Sequence, residues 1–118
     1  MRTVGTPDNN SQDDEFVVVC SENGESVLLE VRGALDLATK PAFENFVAGL
    51  SRDRRDVIVD VSRTTFMDSS GLGSLLRVHR TLARDGRRVT VLTNRPNDLR
   101  TFAITGLDRV LNVRLVAD

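Results

Sequence analysis

Cysteine and histidine are nearly missing from this chain of 118 residues, which contains one of each, Cys20 and His79. A single cysteine excludes an intrachain disulfide, and the N-terminus lacks the apolar segment of a signal peptide, so a cytoplasmic location is expected. Cys20 closes an apolar run and reads as a small core residue. One His and one Cys far apart make no ligand cluster, so neither a metal nor another cofactor is expected. No apolar run approaches the roughly 18 residues of a membrane helix. Neither charge sign is in excess: 16 Lys and Arg stand against 17 Asp and Glu, a net charge of −1. That balance supplies no general attraction to nucleic acid or to an anionic membrane, so direct DNA binding and membrane association are not expected. There is no internal repeat, and the length and the 40% hydrophobic fraction suit one domain with one core.

Residues 1–14 are polar, acidic and without period, and read as a disordered tail before a domain at 15–118. Phe16–Cys20 and Val27–Val31 read as two antiparallel strands joined through Asn23-Gly24, a hairpin-turn signal. Thr39 as cap and Pro41 in the first turn start a helix whose Phe43, Phe46, Val47 and Leu50 share one face. Val57–Val61 is nearly all apolar, as for a strand covered on both faces. Within it Asp60 either satisfies nearby backbone N–H groups or acts as a charge felt further on. A helix over about 70–84 carries Leu72, Leu75, Leu76, His79, Leu82 and Ala83 as its apolar stripe, with Arg77, Arg80 and Arg84 opposite. Val89–Leu92 is the next strand, and Pro96 opens a helix with Leu99, Phe102 and Ala103 inward and Gly106 as its left-handed end. Val110–Val116 is the last strand. The pattern predicts an α/β fold with a five-stranded mixed, mostly parallel sheet, an opening antiparallel strand and packed helices.

Chemistry concentrates in Phe66-Met-Asp-Ser-Ser-Gly-Leu-Gly73, where a strand turns into a helix. A helix start leaves N–H groups unpaired and favours an anion on or beside a serine. The nucleophile elbow needs glycines two residues before and after its serine; Ser70 has Asp68 and Leu72 there, and Ser69 has Met67 and Gly71. His79 lies nine residues beyond Ser70 on the same helix, about 13 Å away, too far to serve as its base. Gly71-Leu-Gly73 lacks the third glycine of a dinucleotide loop, and no Gly-Lys-Ser/Thr follows. No catalytic residue is therefore assigned, and the serine reads as one that is acted upon. Gly71 and Gly73 are expected to keep the turn open to another protein's surface.

Gly33-Ala-Leu-Asp36, Val59-Asp-Val61, Phe66–Gly73 and Ile104-Thr-Gly-Leu107, in this order and spacing, resemble the bacterial anti-sigma factor antagonists of the STAS-domain family, over about residues 15–116. The resemblance implies a STAS fold and a protein that is not an enzyme. It implies a serine phosphorylated by a partner that is both anti-sigma factor and serine kinase, and restored by a serine phosphatase. Carried across, the acceptor is Ser70, with Ser69 as runner-up, and the partner-binding residues are Asp36, Asp68, Ser69, Gly71, Leu72, Gly73 and Arg77. Arg77, Arg80 and Arg84 form either a solvated face or a rim that meets acidic partner residues. Family members commonly continue into a C-terminal helix, which is not expected before Asp118. The alternative is a small-ligand or nucleotide-sensing module, or a scaffold module, whose serines are never phosphorylated.

Overall fold

A computed structural model describes residues 2–5, 15–50 and 53–117. Strands β1 (Arg2–Gly5), β2 (Val17–Glu22) and β3 (Ser26–Leu35) lead into helix α1 (Lys40–Ala48). Then follow β4 (Asp56–Met67), α2 (Ser69–Ala83), β5 (Val89–Thr93), α3 (Pro96–Thr105), a 3-10 turn at Leu107–Arg109 and β6 (Asn112–Leu115). The sheet order is β1-β2-β3-β4-β5-β6; β1, β2 and β3 pair antiparallel, and β3 through β6 pair parallel.

The five strands expected from residue 15 onward are all present, and a sixth is added. Arg2–Gly5 pairs with β2 from Arg2↔Cys20 to Gly5↔Val17, so these residues of the expected tail are a sheet edge. An open edge takes up an extended segment through backbone hydrogen bonds and demands little side-chain pattern, so residues 2–5 carry no strand signal. Residues 6–14 lie outside the described residues. The β2–β3 hairpin turns as expected at Asn23, whose Oδ1 accepts the N–H groups of Glu25 (2.8 Å) and Ser26 (2.6 Å).

Burial alternates along β2, β3, β4 and β5, so the sheet has one fully buried face, not two. That face carries Val18, Val27, Leu29, Val57, Val59 and Val91 and meets Phe43 and Val47 of α1, Leu75, Val78 and Leu82 of α2, and Phe102 of α3 in a single core. Strands added in sequence order with crossovers of one hand place all three helices on the same side. The continuous apolar run at 57–61 overstates burial, because Ile58 and Asp60 on the other face are only half-buried. Asp60 has the modest role of the two: its Oδ1 accepts Ser62 N–H at 2.9 Å.

The helix stripes needed correction. On α2 the buried positions are Gly71, Ser74, Leu75, Val78 and Leu82, while Leu72, Leu76 and His79 are half-buried and Ala83 is exposed. The buried side is rotated because α2 also packs on α1, where Ser74 Oγ donates to Glu44 Oε2 at 2.7 Å. Ala103 of α3 is exposed, Leu99 is half-buried, and Gly106 ends the helix at φ 78°, as expected. Thr39 precedes α1 without a capping bond; its hydroxyl donates instead to the Ala34 carbonyl at 2.7 Å.

At the end of the sheet where β4 and β5 begin, a buried arginine holds loops together. Arg87 is 3% exposed and donates through Nε to the Arg55 carbonyl (2.7 Å) and through Nη1 to the Leu50 carbonyl (3.1 Å). Arg55 in turn donates to Asp53 Oδ2 and Glu22 Oε1, each at 2.7 Å. Hydrogen bonds from the Arg55 side chain, then its backbone N–H, hold the Asp53 carboxyl far below its ordinary value of 3.8. Arg87→Met should cost about 1–3 kcal/mol in denaturant unfolding, since it strands two carbonyls. A depressed folded pKa stabilises above the unfolded value and loses that contribution as pH falls through the folded one, so the Tm gap between wild type and Asp53→Asn should narrow below about pH 4.

Candidate functional site

β3 and β4 run parallel with Leu35 opposite Met67, so their ends bring Asp36 and Asp68 to the same edge of the sheet. β4 continues to Met67, and a single residue, Asp68, separates strand from helix. Asp68 has extended backbone (φ −98°, ψ −172°) and its Oδ1 accepts Gly71 N–H at 3.0 Å, a regular N-cap. The first turn of α2 then crosses directly over the end of β3. At Gly71 a Cβ would overlap the Leu35 carbonyl oxygen and lie 2.8 Å from Met67 Cγ. At Gly73 a Cβ would meet nothing within 4 Å.

The two glycines therefore differ. Gly71, expected at the open surface of the turn, is buried and lets helix and strand touch. Gly73 does leave open space beside the serines. Ser69 is exposed and Ser70 half-buried, and both line a cavity of ≈ 530 Å³ with Gly73, Arg77, Arg80, Arg84 and Lys40. Arg77 has a side chain 72% exposed and pairs with Glu44 Oε1 at 3.5 Å. The arginine face and the serines thus belong to one groove.

Asp36 is committed to its own loop, where its Oδ1 accepts N–H groups from Ala38 (3.0 Å) and Thr39 (3.1 Å). That bend projects Leu37, 71% exposed, into solvent at the edge that carries the serines. Phe66, 57% exposed, stands one residue before Met67 on β4. Leu72 faces away from the serine groove into a smaller cavity of ≈ 300 Å³, shared with Phe66, Arg95 and Phe102. Arg95 fixes the irregular end of β4: it donates to the carbonyls of Thr64 (2.6 Å) and Val61 (2.9 Å) and pairs with Asp98 at 2.9 Å.

Of the residues expected at the site, the structure places Ser69, Ser70, Gly73 and Arg77 along one groove and Asp36 and Asp68 at the adjoining strand ends. Leu72 lines the neighbouring recess, and Gly71 lies beneath. His79 is at the other end of α2, in a recess with Asp56, Arg87 and Val89, remote from the serines. Sequence reasoning missed Lys40, Glu44 and Arg95, whose roles depend on contacts between elements that no spacing rule reveals; exposed Leu37 was not singled out either. Among the described residues no group of His, Cys, Asp and Glu is arranged to hold a metal, and no helix is long and apolar enough to cross a membrane.

Fold and site together define a STAS domain. The family model described as Mlab, STAS domain matches residues 18–116, and the chain belongs to that family. It is 30% identical over 86 residues to the anti-sigma-B factor antagonist of Staphylococcus aureus (strain NCTC 8325 / PS 47), covering 72% of this chain and 80% of that one. The crystal structure of an anti-sigma factor antagonist from Mycobacterium paratuberculosis is similar at a TM-score of 0.78 and 23% identity, over 90% of this chain and 91% of that one. The Bacillus cell fate determinant SpoIIAA in its phosphorylated form is similar at 0.63 and 23%, over 82% of this chain and 90% of that one.

The contrast between the glycines is measurable. Gly71→Ala should destabilise by about 3 kcal/mol or prevent folding, because the obstructing atom is backbone. Gly73→Ala should stabilise α2 by about 0.5–1 kcal/mol. Asp68→Ala should cost about 0.5–2 kcal/mol through loss of the cap. Urea unfolding of the three variants decides all of them.

Proposed function

We propose that the chain is an anti-sigma factor antagonist controlled by phosphorylation of Ser70. The single observation that carries this reading is the placement of a serine pair on the first turn of α2, beside an open groove, in a chain of this family. Unphosphorylated, it binds an anti-sigma factor that is also a serine kinase, and the sigma factor is released. The kinase then moves the γ-phosphoryl group of ATP to Ser70 Oγ, with the hydroxyl proton passing to a base of the kinase and ADP leaving. Binding is lost until a serine phosphatase hydrolyses the ester. The chain is substrate and contact point, performs no catalysis, and works in the cytoplasm. Support comes from the name of the Staphylococcus relative and from the phosphorylated state of a protein with this fold.

The contact surface comprises Asp36, Asp68, Ser69, Gly73 and Arg77, with exposed Leu37 and Phe66 as apolar anchors and Leu72 supporting Phe66 from the adjacent recess. A phosphate adds about −1.5 to −2 charges. Sealed under a partner beside Asp68, it leaves an unpaired buried charge worth roughly 2–5 kcal/mol, or about 30- to 4000-fold in affinity. The fold survives, because a helix N-terminus favours an anion by about 0.3–1 kcal/mol.

Ser70→Asp should therefore abolish binding to the anti-sigma factor in calorimetry while leaving the melting temperature nearly unchanged; normal binding would refute the switch. Mass spectrometry after incubation with the cognate kinase and ATP should find phosphate on Ser70. Phosphate on no serine, together with saturable nucleotide binding, would select a nucleotide-sensing module instead. Arg77→Glu should weaken association most at low salt, since Arg77 is a rim charge.

A further inference from the structure

The chain has a single lysine, Lys40, and the fold places it on the groove that the serines line. α1 and α2 follow adjacent parallel strands, so they run side by side in one direction, and the 2.7 Å bond from Ser74 to Glu44 fixes their register. One helical turn earlier stand Lys40 on α1 and Ser70 on α2, lining the same groove. Lys40 Nζ reaches Glu44 Oε2 only at 3.9 Å, the long limit of an ion pair. The same carboxylate already serves the Ser74 hydroxyl and Arg77. Lys40, Arg77, Arg80 and Arg84 all line the groove, and among the described residues no carboxylate does.

We propose that Lys40 is the intramolecular counter-ion of a phosphate on Ser70, an inference that rests on the reading above that Ser70 is modified. A lysine is suited to the exchange: its ammonium sits on a flexible four-carbon stem with three donors and swings from Glu44 to the phosphate without altering the backbone. Arg77 is two turns beyond Ser70, but helical side chains lean toward the N-terminus, so it approaches from the other side and supplies a second cation. The groups that act on the phosphate are then Lys40 and Arg77 close by, Arg80 and Arg84 further along α2, Glu44 behind Lys40, and the carboxylates of Asp68 and Asp36 at the strand ends. Capture turns the phosphate into the groove of its own domain. Lys40 and Arg77 are thereby withdrawn from a partner, a loss that remains although the captured phosphate is itself no longer unpaired.

Phosphoserine placed at position 70 by genetic encoding allows a test without any kinase, with the second phosphate ionisation followed by 31P NMR. That ionisation is expected below about 6 in the otherwise unaltered protein, and Lys40→Gln should raise it by about half a unit or more. Lys40→Arg should keep it low, and Arg114→Gln, at the far edge of the sheet, should leave it unchanged. The lysine side chain is 34% exposed, so these substitutions leave the core intact. Equal titration of the phosphate in wild type and Lys40→Gln overturns the assignment, whether the shared value is ordinary or depressed by the helix end alone. Failure of a kinase to label Ser70 would instead strike the proposed function and leave this titration standing.

Discussion

The contact between Gly71 and the Leu35 carbonyl is the constraint on which the rest of the site depends. β3 and β4 end in register, and α2 begins one residue after β4, so the first helical turn has to pass over the end of the neighbouring strand. A side chain at position 71 has no place there. With Gly71 turned inward, the 3.6-residue period turns Ser69 outward, and Ser70 to the rim of the groove. The presentation of the serines is therefore a property of the strand register, and the glycine does its work from below.

The same topology separates two kinds of charge cluster. Parallel strands with crossovers of one hand collect the β3–α1 and β4–α2 junctions at one edge of the sheet. At that edge the polar groups are half-committed: Asp68 caps, Asp36 bends its loop, and Lys40 is loosely held. At the opposite edge Asp53, Arg55 and Arg87 are tightly paired with loops and carbonyls. A buried arginine that donates through Nε and Nη1 to two backbone carbonyls serves the fold, whereas a groove of cations with no carboxylate among its described lining residues is open to an anion. The degree to which charges are satisfied at home distinguishes the structural pole from the interaction pole.

Much of this was legible in the residues. The alternation of apolar strands and helical stripes was enough for the α/β fold, Asn23-Gly24 for the hairpin, and Gly106 for the end of α3, because each rests on local backbone preference. Asp68 as cap is readable in principle, since an aspartate precedes a helical period, but Ser69 and Ser70 are equally good cap residues by type and leave the choice open. Register between elements was not legible. No rule of spacing says that Leu35 meets Gly71, that Ser74 bonds Glu44, or that Lys40 and Ser70 line one groove, because these placements are set by how far β3 and β4 run before turning. The β1 strand was silent for a different reason: an edge pairs through backbone atoms, and its side chains need carry no pattern.

Net charge proved the least informative quantity, and the reason is physical. A total of −1 averages over a chain in which cations line one groove and carboxylates cap the strand ends beside it. Screening in physiological salt limits interactions among exposed charges to about 8 Å, so a docking surface or a phosphate responds to its own few neighbours and not to the sum. At the start of α2 those neighbours carry both signs, with Asp68 and Asp36 at the strand ends and Lys40 and Arg77 along the groove. A new dianion at Ser70 is repelled from the first pair and drawn toward the second. The phosphate proposed for Ser70 would therefore meet an asymmetric set of charges, and that asymmetry would give it a direction.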